Sequence, residues 1–247
     1  MAEVVMVHGA FNELWGPNEI KSRWLPALRD GLHHHGAVVD AEDVAVCFYG
    51  DLFRLDPETL DEDHWEQTRA GTSEMLEGFA GDGGLDAISQ AASTAAFDRT
   101  VDLVSVLASD PSVSQTARER LLALITPRTR VLIAHSLGTV LSYNTLVSDP
   151  DLSVPTLITL GSPLGSAMTD AMLPPAEADG IRPWPGVDRW VNVAAVGDRA
   201  TGEGKLAPRF GDRVEDRRVD NGLRAHDPEP YLNNPITGEV VAAGLSG

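Results

Sequence analysis

The chain has 247 residues, 37 acidic against 19 basic, a formal net charge of −18 and a single cysteine. That length suffices for one α/β domain with a sizeable core. The acidity argues against a nucleic-acid partner and against an anionic membrane surface, both of which call for an excess of Lys and Arg. Cys47 has no partner for an intramolecular disulfide, and its apolar surroundings Val44-Ala45-Val46-Cys47-Phe48-Tyr49 imply a buried, inert thiol.

The first residues lack the cationic stretch and long apolar core of a secretory leader. No apolar run approaches the roughly 18 residues of a membrane span. The expectation is a soluble chain of the cytoplasm without stable membrane insertion.

Val4-Val5-Met6-Val7 is a continuous apolar run, as in a strand of a parallel sheet buried on both faces. It ends in His8-Gly9-Ala10-Phe11-Asn12, where glycine lets a backbone come close to a ligand. Residues 24–32 read as a helix that ends near His33-His34-His35. Three consecutive histidines do not share a helix face, so a solvated helix end is expected rather than a metal site. Residues 43–49 form the second strand.

Residues 51–92 change character. Acidic residues and glycines crowd this segment and no strand is visible, so it reads as an inserted cover over the sheet. Its carboxylates lack calcium-loop spacing, and no metal or other cofactor is expected. Residues 94–108 and 114–124 read as two helices separated by Asp110-Pro111.

The sharpest signal is Val131-Leu132-Ile133-Ala134-His135-Ser136-Leu137-Gly138-Thr139-Val140-Leu141. An apolar strand runs into a tight turn with a central serine and continues with helical apolar spacing. This is the context of a nucleophile elbow, whose strained turn needs small residues two positions either side of the serine. Ala134 and Gly138 are small, although Ala134 stands where glycine is commonest. Residues 155–160 form the next strand, ending in Gly161-Ser162-Pro163. Residues 189–196 follow as a strand ending in Gly197-Asp198. Residues 212–220 form the last and most polar strand, expected at a sheet edge, followed by Ala225-His226-Asp227. The tail from Pro230 is expected to carry one short helix.

The alternation of strand and helix predicts an α/β fold, a mostly parallel sheet of about six strands with helices on both faces, in a single domain spanning 1–247. His8, Ser136, Asp198 and His226 all follow strands and so can meet at one end of the sheet.

These residues resemble the α/β-hydrolase superfamily, particularly its lipase- and esterase-like serine hydrolases. The likeness rests on the elbow 134–138, on the chain order Ser136, Asp198, His226, and on the Gly161-Ser162-Pro163 turn, and it extends from Val4 to about Leu232. It implies a reduced hydrolase core. It also implies Ser136 as nucleophile, His226 as base, Asp198 as the acid orienting it, and backbone N–H groups of Ala10 and Leu137 as an oxyanion hole. Phe11 and Pro163 are carried over as substrate contacts. Asp170 and Asp227 compete for the acid, and His8, His64 and His135 for the base. Asp198 and His226 are preferred, with His135 expected to face away from the serine's partner.

The activity so implied is hydrolysis of a carboxylic ester, lipid-like or a small metabolite. Acyl transfer, cyclisation or peptide hydrolysis through the same acyl-enzyme stand beside it, as does a non-catalytic binding protein on the same fold. The residues leave the substrate and the oligomeric state open.

Overall fold

A computed structural model describes residues 2–10, 12, 14–54, 66, 70 and 110–247. Six parallel strands form one sheet: β1 (Val4–Val7), β2 (Val44–Cys47), β3 (Val131–His135), β4 (Thr156–Leu160), β5 (Arg189–Ala195) and β6 (Val214–Val219). Their spatial order is β2-β1-β3-β4-β5-β6. The expected α/β architecture is therefore present, and the polar strand β6 lies at the edge.

Side chains alternate across the sheet, so each strand feeds two cores. On one face Val5, Val7, Leu132, Ala134, Leu157 and Trp190 pack with helices α2 (Pro111–Leu124) and α3 (Leu137–Ser148). On the other, Val4, Met6, Ile133, Ile158, Leu160 and Val191 pack with α1 (Pro17–His33), α5 (Pro228–Leu232) and α6 (Pro235–Ser246). A short helix, α4 (Ala207–Phe210), precedes β6. Strands buried on both faces have no polar side, and this is why they read as continuous apolar runs.

Several helix ends differ from the sequence expectation. Helix α1 begins at Pro17, seven residues before Trp24, because Pro17 supplies a preset φ at the first helical position. Its first turn, Pro17-Asn18-Glu19, is exposed and carries no apolar signal. Pro26 lies inside α1, and both it and Ser22, whose carbonyl loses its helical donor, face solvent. The histidine run is the exposed end of α1, as expected. Helix α2 starts at Pro111, capped by the Asp110 carboxylate on the N–H groups of Ser112 and Val113.

The tail forms two helices where one was expected. Helix α6 lies directly on α1: a Cβ on Gly238 would stand 2.0 Å from the Gly31 carbonyl oxygen. That close approach buries Val240 and Val241 and makes the C-terminus part of the core.

The start of the expected cover belongs to the sheet-packed fold. Residues Gly50–Phe53 form a 3-10 turn, Phe53 is buried against Tyr49, and Asp51 accepts two hydrogen bonds from Arg120, at 2.5 and 3.0 Å. Apart from Arg54, Glu66 and Ala70, the remainder of 51–92 and all of 94–108 lie outside the described residues. Among the described residues no helix is long and apolar enough to cross a membrane.

Candidate active site

In a parallel sheet the loops that leave the strand C-termini share one rim. Here β1 leads into His8-Gly9-Ala10, β3 into Ser136, β4 into Gly161, β5 into Asp198, and the chain after β6 into His226.

Ser136 has φ 52° and ψ −129°, the only positive φ at a non-glycine among the described residues. A strained backbone at a polar residue persists only where its surroundings over-determine it. Here the Ser136 N–H donates to the Leu160 carbonyl at 3.0 Å, and the Ser136 carbonyl accepts from the N–H and the hydroxyl of Thr139, at 2.9 and 2.7 Å. The Thr139 hydroxyl in turn meets that of Ser162 at 2.8 Å. Adjacent strand, helix start and neighbouring turn thus fix the elbow from three sides.

The Ser136 Oγ lies 2.9 Å from Nε2 of His226, and Nδ1 of His226 lies 2.9 Å from both carboxylate oxygens of Asp198. An ionised carboxylate only accepts, so the proton of a neutral His226 belongs on Nδ1. Nε2 then presents its lone pair to the serine hydroxyl. The Asp198 side chain is wholly buried and also accepts from the Tyr231 hydroxyl at 2.6 Å and the Ala200 N–H at 3.0 Å. Burial pushes its carboxyl up. The hydrogen bond and charge of His226, with the Tyr231 and Ala200 donors, outweigh that and hold it below its ordinary value.

Gly161 makes room for this arrangement. Its φ is +55°, and a Cβ there would lie 3.0 Å from Asp198 Oδ2 and 3.2 Å from His226 Nδ1. Gly9 does the same for the serine: a Cβ would fall 2.5 Å from Ser136 Cβ.

The competing assignments separate on geometry. Asp170 is bound by Arg182 and Arg209, is half exposed and does not line the cleft with the serine. Asp227 pairs with Arg224 at 2.5 Å. His8 is buried and stacked on Tyr49, with its Nδ1–H donating to the Gly9 carbonyl and its Nε2 accepting from the Tyr49 N–H at 3.1 Å. It shapes the loop after β1. His64 lies outside the described residues.

His135 is not turned away as expected. Its Nε2–H donates to the His226 carbonyl at 2.8 Å, and the two rings lie 4.9 Å apart. Burial, and then the nearby charge of His226, push the His135 imidazole down to about 3, so it is neutral. Tyr231, whose hydroxyl reaches Asp198, carries no motif in the sequence. Neither contact has a local sequence signal, since both join segments far apart in the chain.

Ala10 lines the cleft above Ser136, and the Asn12 side-chain amide ties the Gly9 and Ala10 carbonyls at 3.2 and 2.8 Å. Leu137 is the first residue of α3, so its N–H has no acceptor within the helix. Phe11 lies outside the described residues. Pro163 is buried at the start of a 3-10 turn and is not part of the cleft lining, because that turn packs inward toward α3. The cleft holds about 300 Å³ and is lined by Asn12, Trp15, Arg23, Arg224, Asp227 and Glu229 beside the serine and histidine. Arg23 stacks over Trp15 at 4.0 Å. Cys47 is buried, its thiol pushed up to about 12 mainly by desolvation, which suits a packing role. Among the described residues no group of three His, Cys, Asp or Glu side chains is arranged to hold a metal ion.

No family model matches the chain, and no curated protein or solved structure matches it either.

Proposed function

We propose that the chain is a serine hydrolase of the α/β-hydrolase kind that cleaves a carboxylic ester through an acyl-enzyme on Ser136. The observation that carries the reading is the continuous hydrogen-bonded line Ser136–His226–Asp198 ending on a serine held at positive φ.

A serine hydroxyl is a poor nucleophile at neutral pH and needs a base within hydrogen-bond reach. In this reading Ser136 Oγ attacks the ester carbonyl carbon while its proton passes to His226 Nε2. Asp198 keeps the Nδ1–H in place and stabilises the imidazolium. The N–H groups of Leu137 and Ala10 serve the oxyanion, and loss of one such donor commonly costs about 3 kcal/mol of barrier. The alkoxide leaves with the proton from His226. Water then attacks the acyl-enzyme by the same relay in reverse, releasing the acid and restoring the serine.

The charged lining of the cleft favours a small polar ester over a long acyl chain, since aliphatic chains gain little against Arg23, Arg224, Asp227 and Glu229. A fluorophosphonate probe tests the reading. Covalent labelling confined to Ser136 and lost in Ser136→Ala supports it. Absence of labelling in the folded protein supports a binding protein instead. Adding hydroxylamine or an alcohol as alternative acceptor then separates hydrolysis from acyl transfer.

A further inference from the structure

We propose that Tyr231 is a positioning residue for the base: its hydroxyl, oriented by the Ala195 N–H, donates to Asp198 and so governs how tightly the Asp198–His226 pair holds a proton. The proposal rests on the serine-hydrolase reading of Ser136.

Tyr231 is wholly buried in α5, which packs beneath the rim of the sheet against α1. A phenol has one proton. The Tyr231 oxygen accepts from the Ala195 N–H at 2.8 Å, so its own proton is directed to Asp198 Oδ2 at 2.6 Å. The donor that orients the tyrosine is the last residue of β5, three residues before Asp198, so one strand end sets both partners. The ring is held as well as the hydroxyl: His135 lies 6.0 Å away, and a Cβ on Gly161 would touch Tyr231 Cε2 at 3.2 Å.

A hydrogen bond to an ionised carboxylate disperses its charge and weakens its pull on a neighbouring cation. Tyr231 therefore competes with imidazolium for the electrons of Asp198. The groups facing the pair come from several elements. His135 on β3 is buried and neutral, Arg218 on β6 acts on the Tyr231 hydroxyl, and Arg224 beside His226 is paired with both Asp227 and Glu229. Burial and then the Asp198 charge raise the tyrosine's own ionisation far above its ordinary range, so it stays a donor at every working pH.

The test is the pH dependence of the second-order rate of Ser136 labelling by a fluorophosphonate. Three proteins are compared: wild type, Tyr231→Phe, and the chain with 3-fluorotyrosine placed at 231. Phenylalanine keeps the ring and removes the donor. The acidic limb of the profile is expected to move to higher pH, because Asp198 without that donor holds the imidazolium more tightly. Fluorotyrosine keeps the fold and donates more strongly, so its limb is expected to move to lower pH. If Tyr231→Phe does not fold, the fluorotyrosine protein alone decides. Coincident limbs in a wild type and variants that all label overturn the proposal and leave the hydrolase reading standing. A folded wild type that never labels overturns both.

Discussion

His135 donates a hydrogen bond to the backbone carbonyl of His226 at 2.8 Å, so the residue before the serine holds the loop that delivers the serine's partner. The Ser136 turn and the His226 loop, 91 residues apart in sequence, are thereby one mechanical unit. His135 is buried and the contact half-buried, and an acceptor left unpaired there costs up to about 1–3 kcal/mol. His135→Leu is therefore expected to lower kcat for ester hydrolysis more than it raises KM, and His135→Gln, which keeps a donor, to recover part of the loss. Equal kinetics for wild type and His135→Leu would remove this role.

The same residue makes the fold acid-sensitive. In the unfolded chain an imidazole titrates near pH 6.5, whereas His135 in the fold is pushed down to about 3, chiefly by burial. Below pH 6.5 the unfolded state binds a proton that the folded state refuses. Stability from this group is present above that pH and declines by about 1.4 kcal/mol per unit as pH falls toward 3. Asp198, held below its ordinary value despite burial, adds a second loss as pH falls through the carboxylate range. Thermal unfolding measured between pH 7 and 4 is expected to show Tm dropping, with a shallower drop in His135→Gln. An unchanged slope in that variant would assign the acid sensitivity elsewhere.

Ser136→Ala is expected to abolish turnover and labelling while far-UV circular dichroism stays native. His226→Ala should cost about as much, with the double variant little worse, because such groups act as a unit and losses reach about 10⁵–10⁶ in kcat. Asp198→Asn should lose less, roughly 10⁴. Substantial turnover by a cleanly folded Ser136→Ala protein would move the chemistry away from the elbow.

Gly161 gives a steric prediction. Alanine there must adopt φ near +55°, at a cost of about 1–2 kcal/mol. Its methyl would also press on Asp198 and His226 at 3.0 and 3.2 Å. Gly161→Ala is expected to lower Tm by a few degrees and kcat by at least tenfold. A variant with lowered Tm and intact kcat would mean that the Asp198–His226 pair tolerates displacement.

The strand pattern and the elbow were legible because both are local. Val4–Val7 is apolar throughout and Val131–His135 is apolar up to its last residue, since helices cover both faces, and Ser136 announces itself by the small residues around a strand-to-helix turn. Asp198 and His226 were reachable through chain order, each following a strand whose end lies on the shared rim. Tyr231 and the His135 contact were not reachable. A buried tyrosine in a helical tail reads as core, and only the meeting of α5 with the end of β5 turns its hydroxyl toward Asp198. Helix α6 was underestimated for a related reason: its docking depends on Gly31 and Gly238 standing opposite each other, a pairing no local pattern encodes. Pro163 stands beside the site in sequence but off the cleft lining, because a turn next to a strand end can face inward.

Under the proposed hydrolase function, the charge of the cleft wall bears on substrate choice. Arg224 pairs with both Asp227 and Glu229, at 2.5 and 2.9 Å, across the loop that carries His226. Exposed pairs of this kind contribute little stability, about 0–1 kcal/mol each, yet they fill the cleft wall with charge that an alkyl chain would have to desolvate. Arg23 adds a cation stacked on Trp15 on the same wall. Short polar acyl esters should therefore show higher kcat/KM than long-chain esters of the same leaving group. Shortening Arg224 to alanine should loosen the His226 loop, lowering kcat several-fold for every substrate. Arg23→Ala, which leaves that loop intact, should narrow the gap between short and long chains by changing KM. A series of p-nitrophenyl esters from acetate to palmitate measures both. If kcat/KM rises steadily with chain length in the wild type, the polar wall does not set the preference, and the small polar ester gives way to a lipid-like one.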